Sequence, residues 1–344
     1  MTGAVAPEPK PRVAAIPGDA NGIGPELLAK LLAMPKVAAR ADVLVIGDRP
    51  VIARGEREAH VALQLAPVED PRAPWPEDGI PYLKTAFMEV GQIAPGTVSA
   101  ISGEATLRTL DTALDLARKG IVDGILFAPF NKEAMIAGGM GHEDELHYMA
   151  EYLGHDGQVS ELNIMGGLWT SRVTSHIPLK DVAGAITEGG ILDAVKLADR
   201  ELKAAGVLRP CIAVCALNPH AGDGGNFGTE EIDVIGPAVE KARRFQIDVS
   251  GPWPSDTIFL KAQAGEVDAI VTMYHDQGQI AMKLMGFHKG VTVQGGLPLP
   301  VATPAHGTAY DISGQGIAQT GAMEAAFDVL MRMAASHRAR REAA

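Results

Sequence analysis

Three of the ten histidines, His176, His220 and His275, each follow an apolar run of the kind that forms a buried strand. In open α/β sheets, ligands bind outside the carboxyl ends of the strands. Three imidazoles meeting at such an edge would hold a metal ion and leave a position for substrate oxygens, as catalytic metal sites do. Imidazole suits zinc or cobalt better than magnesium, which stays an alternative. Because sequence spacing carries no geometry, three unrelated loop histidines are the competing interpretation.

The stretch around the last histidine, "VTMYHDQGQIAMK", places several polar side chains together where a buried strand ends. Asp276 adjoins His275, so its carboxylate could orient the imidazole ring or act as a general base. The sequence favours neither role over the other. The stretch therefore predicts a metal ligand with a polar shell around it.

The elements that would position these residues alternate along the chain. Short apolar runs such as "RVAAI", "DVLVIGD" and "DAIVT" are interspersed with segments of helical periodicity. A long segment of this kind covers residues 102–120. Alternation of this kind predicts an α/β fold with a mostly parallel sheet.

Composition narrows the possible partners. The formal charge of −12 disfavours nucleic acid and anionic membrane surfaces as partners. No apolar run approaches the length of about 18 residues that a membrane helix needs. We therefore expect a cytoplasmic protein that acts on a small molecule, with no nucleic-acid or membrane partner.

Several motifs together resemble one family. "GDANGIGPE", "APFNKEA", "SHIPLKDV", "LNPHAGDGGNFGTEE", "YHDQGQIAMK" and "HGTAYDISGQG" occur in the order typical of 4-hydroxythreonine-4-phosphate dehydrogenases, which act in pyridoxal phosphate synthesis. The resemblance covers about residues 12–330. It implies a fold like that of isocitrate and isopropylmalate dehydrogenases, with two α/β/α domains and the active site in the cleft between them. The expected domains are 1–130 plus 291–344, which carries the cofactor loop, and 131–290, with the metal ligands and dimer interface.

The resemblance also implies which residues form the site. His176, His220 and His275 would hold the metal, and His275 would reach across from the partner in a homodimer with shared active sites. Substrate-contacting positions fall on His142, Lys283 and Thr292. The loop that would bind NAD or NADP comprises His306, Gly307, Thr308, Ala309 and Asp311.

The implied reaction is oxidation of a hydroxyacid, followed by decarboxylation of the β-keto acid. A divalent cation, zinc first and magnesium or cobalt as alternatives, would lower the pKa of the alcohol and polarise the ketone. Lys283, Asp256 or Asp276 could move the proton.

Departures from the family pattern lie in the substrate pocket. Thr292 stands where the family has Asn, Val301 stands where it has Arg, and Glu143 to Glu145 place acid beside His142. A phosphate dianion needs several charged donors, so these departures predict a divergent substrate. Arg172 or Lys289 could compensate by moving into the pocket. Alternatives are a terephthalate cis-dihydrodiol dehydrogenase, a dehydrogenase of phosphorylated four-carbon sugar acids, and a non-catalytic metal-binding homologue.

Overall fold

The computed structural model describes residues 10–286 and 289–343. Its strands, in chain order, are β1 (Arg12–Ile16), β2 (Asp42–Asp48), β3 (Leu65–Pro67), β4 (Ile80–Thr85), β5 (Gly124–Phe127), β6 (Ser160–Met165), β7 (Leu168–Arg172), β8 (Ile212–Cys215), β9 (Val249–Trp253), β10 (Ala269–Thr272), β11 (Val291–Gly295) and β12 (Val301–Pro304).

The helices surround these strands in sequence. They are α1 (Gly24–Leu32), α2 (Pro35–Arg40), α3 (Arg49–Ala59), α4 (Ala100–Arg118), α5 (Lys132–Ala137), α6 (Glu145–Tyr152), α7 (Val182–Ala185), α8 (Glu188–Ala204), α9 (Gly236–Arg244), α10 (Ile258–Gln263), α11 (His275–Gly286) and α12 (Gly321–Ala343). Short 3-10 segments occupy Val90–Gln92, Leu179–Asp181 and Pro219–Gly225, and one π-helix occupies Glu231–Ile235. Within the two described ranges, no helix combines the length and apolarity needed to cross a bilayer.

Two compact units divide the chain. The first runs up to Tyr148 and also takes in Leu299–Val301 and the chain from Gly307 onward; the second comprises Met149–Pro298 and Ala302–His306. These boundaries fall later along the chain than the expected ones at 130/131 and 290/291.

The first unit has an all-parallel strand order β3-β4-β2-β1-β5. Its strand β1, which lies between β2 and β5, is buried from Val13 to Ile16, as the continuous apolar run predicts for a strand covered on both faces.

The second unit has the order β12-β11-β6-β7-β10-β8-β9. The pairs β7–β10, β10–β8 and β8–β9 are parallel, whereas β12–β11, β11–β6 and β6–β7 are antiparallel. The predicted α/β class with mostly parallel strands is confirmed. The carboxyl ends of β7, β8 and β10 lead into the segments that carry the three histidines.

Candidate active site

Two of the three histidines lie side by side. The ring centroids of His176 and His275 are 5.8 Å apart, with the ring planes tilted by 44°. Nδ1 of His275 lies 2.7 Å from Oδ1 of Asp276, which leaves Nε2 of His275 to bind a ligand. The contact places Asp276 where an orienting carboxylate belongs.

Gln277 ties together the strand ends beneath this pair. Its side-chain oxygen accepts a hydrogen bond of 2.7 Å from the backbone N–H of Met273, which follows β10. Its side-chain nitrogen donates to the carbonyl of Ala216, which follows β8, at 2.8 Å. The polar stretch after β10 therefore fixes the helix start that carries His275 against two parallel strands.

His220 lies in a turn with unusual backbone geometry. Five successive residues, 220–224, have left-handed dihedral angles, and the φ of His220 itself is 54°. Non-glycine residues adopt this region only when the surroundings enforce it. Glu231 anchors the chain just before the turn, because its Oε1 accepts the backbone N–H groups of Leu217 and Asn218 at 2.8 and 2.7 Å. Glu231 opens the π-helix, is itself buried, and also accepts from Nδ2 of Asn218 at 3.0 Å.

The donor set fits a divalent metal in part within one chain. His176 and His275 present two neighbouring imidazoles, and Asp276 fixes the tautomer of one of them. Across the described ranges, the three histidines do not bring their nitrogen atoms within 4.8 Å of one another. Within the described residues, His176 and His275 are therefore neighbours, whereas His220 does not join them.

A different cluster does bring three ligand atoms within 4.8 Å, namely Glu143, Asp144 and His147. Asp144 has a structural task there, because its Oδ1 accepts the backbone N–H of His147 at 2.9 Å and contacts the ring Nδ1 at 2.7 Å. Burial opposes ionisation of Asp144, but the hydrogen bonds from His147 outweigh it and lower the pKa of the carboxyl below its ordinary value. The expected acid beside His142 is therefore partly committed to holding the first turn of α6.

The other predicted substrate residues lie in both units. His142 is half-buried, with its ring edge-on to Tyr148 at 5.7 Å between centroids. Lys283 is exposed on α11, two helical turns after His275, and Asp256 is exposed after β9. Thr292 is buried in β11, where its hydroxyl accepts a hydrogen bond of 3.0 Å from Nδ2 of Asn163.

The predicted cofactor loop is anchored on a buried carboxylate that the sequence does not single out. Asp19, 1% exposed, accepts hydrogen bonds from the hydroxyl groups of Tyr310 and Ser102. Burial and the hydrogen bond to Asp19 raise the pKa of Tyr310 well above its ordinary value. The carbonyl of Thr308 accepts the backbone N–H of Ile23 at 3.0 Å. The loop is thereby fixed on the turn before α1.

Asn21 extends this anchor. Its side chain, with no exposed surface, accepts the N–H of Ala94 at 2.8 Å and donates to the carbonyl of Thr97 at 2.9 Å. Its carbonyl accepts the hydroxyl of Ser313 at 2.7 Å, and Ser313 in turn accepts Nη2 of Arg54 at 2.6 Å. Gly307 is exposed, and an added Cβ there would meet nothing within 4 Å, so the backbone of the loop is open at this point.

Arg172, predicted as a possible replacement cation, is held in place by neighbouring side chains. Its guanidinium is buried and donates to Ser175 Oγ, Asn163 Oδ1 and Glu161 Oε2 at 3.0, 3.1 and 2.8 Å. Lys289 is exposed. The charge of Arg172 is thus already balanced by a carboxylate.

Comparison with known proteins identifies relatives along nearly the whole chain. The family model described as "Pyridoxal phosphate biosynthetic protein PdxA" matches residues 39–330. A Pseudomonas aeruginosa protein with the provisional name 4-hydroxythreonine-4-phosphate dehydrogenase 2 is 49% identical over 326 residues, covering 94% of this chain and 97% of the relative. The D-threonate 4-phosphate dehydrogenase of Cupriavidus necator is 39% identical over 306 residues, covering 88% of this chain and 90% of the relative.

A solved structure agrees with these matches. The 4-hydroxythreonine-4-phosphate dehydrogenase of Klebsiella pneumoniae superposes with a TM-score of 0.82 at 32% identity, covering 96% of this chain and 99% of that one. The relatives reported are dehydrogenases, and such a family implies NAD or NADP together with a divalent metal.

Proposed function

This chain belongs to the PdxA family of dehydrogenases, and on that premise we propose that it oxidises the hydroxyl group of a hydroxyacid whose far end differs from the family's phosphate ester. The single observation that carries the proposal is the pair His176 and His275 at the strand ends, with His275 oriented by Asp276. An oriented imidazole pair with open positions supports metal-assisted alcohol chemistry more than a structural zinc site, which is closed by four protein ligands.

The residues that would hold the metal are His176, His220 and His275, and three imidazoles fit zinc better than magnesium. When bound, a divalent cation lowers the pKa of the alcohol and polarises the ketone that forms. The loop His306–Ala309 with Asp311 would hold NAD or NADP, which accepts the hydride. Its support is the buried Asp19 and Asn21 network, which sets the loop's shape in advance.

In this proposal, Lys283 carries out the proton transfer. His275, Gln279 and Lys283 recur every four residues on α11, so they lie on one helix face. Asp276 is engaged with the ring of His275, and Asp256 is exposed after β9. Lys283 would take the proton from the alcohol oxygen and return one to the carbon that loses carbon dioxide, when the product is a β-keto acid.

A second copy of the chain would complete the site. Apolar side chains stand exposed on the segments that carry or follow the histidines, among them Leu179 at 71% and Leu284 at 84% exposure. Ile280, on the same helix as His275, and Phe227, in the His220 segment, are exposed as well. Burial of these side chains in a homodimer would bring a histidine of the partner to the His176–His275 pair, giving shared sites.

A second candidate is oxidation of the hydroxyl group of a phosphorylated hydroxyacid, as the names of the relatives suggest for those proteins. Lys283, an exposed cation on the histidine face of α11, favours it. The two candidates differ in substrate and not in site.

The test is a panel of hydroxyacids and their phosphate esters, with NAD and NADP in turn, followed by reduced-nicotinamide absorbance. We expect turnover that a chelator abolishes and zinc restores. A protein that reduces neither cofactor with any member of the panel, while it binds metal, would contradict the proposal.

A further inference from the structure

A buried amide on β11 has no hydrogen-bond partner among residues 10–286 and 289–343. Gln294 is 2% exposed, and neither its side-chain nitrogen nor its side-chain oxygen is paired there. The hydroxyl of Thr303 on β12, a residue 5% exposed, is likewise unpaired within those ranges. Each such group costs about 1–3 kcal/mol of folding free energy unless something else pairs with it.

These two side chains lie on one face of the second unit's sheet. Thr303 pairs directly with Thr292 in the antiparallel register, and Thr292 and Gln294 are two residues apart on β11. Because side chains alternate between faces along a strand, all three share a face. The diagonal from Gln294 to Thr303 spans about 7–8 Å, which one small polar group can bridge.

The same face continues to the histidines through a connected polar row. Thr292 accepts from Asn163, and Oδ1 of Asn163 accepts from both Arg172 and Gln279. Gln279 is one helical turn after His275 on α11. Arg172 donates to Ser175, which immediately precedes His176. The unpaired amide and hydroxyl thus lie at the far end of a row that begins at the candidate metal ligands.

The chemistry of this row selects its ligand. Gln294 and Thr303 are uncharged, and each offers both donors and acceptors. The nearest cation of the row, Arg172, is already paired with Glu161 at 2.8 Å. Among the described residues, Arg172 is the one cation within this hydrogen-bonded row, and burying a phosphate dianion beside a cation that is already balanced is costly.

We propose that Gln294 and Thr303 form the subsite for the distal end of the substrate, and that this end is an uncharged hydroxyl group. The inference rests on the proposed dehydrogenase function and specifies its substrate class: a hydroxyacid that carries a free hydroxyl where the relatives' substrates carry a phosphate ester. Gln294 is then a specificity-determining residue of the reaction.

The experiment uses the full-length enzyme with zinc and compares 2,3,4-trihydroxybutanoate with its 4-phosphate ester, in wild type, Gln294→Met and Thr303→Val. Wild type is expected to have the higher kcat/KM on the free acid. Gln294→Met should raise the KM for the free acid about ten- to a hundredfold, the range of one lost hydrogen bond in a buried site. Its kcat should change little.

The control is Ser171→Ala. Ser171 is another buried hydroxyl without a partner in the described chain, on the strand face opposite to that of Arg172. Both Gln294→Met and Ser171→Ala should unfold at the wild-type temperature or above it, because each removes an unpaired buried group. Only Gln294→Met should lose the rise in melting temperature that the free acid gives to the metal-loaded, cofactor-free enzyme.

Two outcomes would overturn the inference. One is an unchanged KM and ligand-induced thermal shift in Gln294→Met, which would mean that the amide pairs with a buried water. The other is a wild-type preference for the phosphate ester. Both leave the dehydrogenase function standing, whereas failure to reduce either cofactor with any hydroxyacid would remove the function itself.

Discussion

The predicted cofactor loop and the surface around His176 and His275 are built in opposite ways. Around Asp19 and Asn21, the polar atoms that hold the loop are buried and paired within one unit of one chain. Around His176 and His275, the side chains are exposed or half-exposed, and apolar side chains flank them in solvent.

The difference distinguishes a region that one chain can form completely from a region that would need a second chain. A nucleotide loop needs only a fixed backbone shape, which buried hydrogen bonds supply before any ligand arrives. A three-histidine metal site needs nitrogen atoms that converge on one point, and in the described part of the chain only the rings of His176 and His275 are neighbours. The first region should therefore respond to mutation through stability, and the second through metal binding and subunit exchange.

The largest expected effect is the fall in kcat when one of the paired histidines is replaced. His176→Ala or His275→Ala should each lower kcat by more than about a hundredfold, because loss of a ligand exceeds the loss usual for outer-shell partners. Metal content of the purified variants checks the cause. Full zinc occupancy in either variant would remove that histidine from the site.

Subunit mixing sharpens the comparison further. If His176 and His275 of one chain share a site, then mixed His176→Ala and His275→Ala subunits should not recover activity. Mixed His220→Ala and His275→Ala subunits should recover in part, because one of the two sites regains three ligands. Recovery in the first mixture would instead place His275 across the interface from His176, as the family resemblance implies.

A smaller effect should follow from Asp276→Asn. The carboxylate contacts Nδ1 of His275 at 2.7 Å, and an amide cannot supply the same charge. Zinc affinity should fall about ten- to a hundredfold. Zinc competition with a chromophoric chelator measures it, and the exposed Asp256→Asn is the matched control with unchanged zinc affinity.

On the cofactor side, Tyr310→Phe should act on folding. It removes a donor to the buried carboxylate of Asp19 and should cost about 1.5–3 kcal/mol of unfolding free energy, the range of a hydrogen bond to a charged group. Tyr82→Phe is the comparison, since Tyr82 donates to the neutral carbonyl of Gly47 at 2.9 Å and should cost about 1 kcal/mol. Urea unfolding decides; equal costs for the two variants would contradict the charge-assisted role.

The same hydroxyl gives a pH dependence. The pKa of Tyr310 is raised in the folded protein, so its contribution to stability is complete below the ordinary tyrosine pKa of about 10. Above that pH the unfolded chain releases its proton first, and stability falls. Wild type should lose stability more steeply than Tyr310→Phe between about pH 10 and 11.

The smallest effect concerns the helix start at Asp144. Its lowered pKa means that its contribution is present above the ordinary carboxyl pKa and is lost as the pH falls through the folded value. Asp144→Ala should cost about 1 kcal/mol at neutral pH, typical of a lost cap. Glu143→Ala, at an exposed neighbour, should cost less than Asp144→Ala by thermal unfolding.

The sequence predicts the fold class and the strand ends because buried parallel strands are continuous apolar runs. It places His176, His220 and His275 after β7, β8 and β10, and each does lie there. It does not predict which histidines meet, because strand order in the sheet depends on long-range packing.

Other residues carry no local signal. Asp19, Glu231 and Gln294 read as ordinary polar positions, and their burial and partners appear only once the chain is folded. Val301, where the family has Arg, has no exposed surface. Restoring Arg there would therefore overpack the core and not simply add a phosphate contact.

The left-handed turn at 220–224 bears on how the protein would take up a metal ion. The chain that leads into the turn is anchored by hydrogen bonds from the backbone of Leu217 and Asn218 to the carboxylate of Glu231, and these bonds need no metal. Stripping and reloading the ion should therefore proceed without refolding, at rates set by ligand exchange. One preparation could then be charged in turn with zinc, cobalt or magnesium, so that the native metal is chosen by cellular supply as much as by the protein.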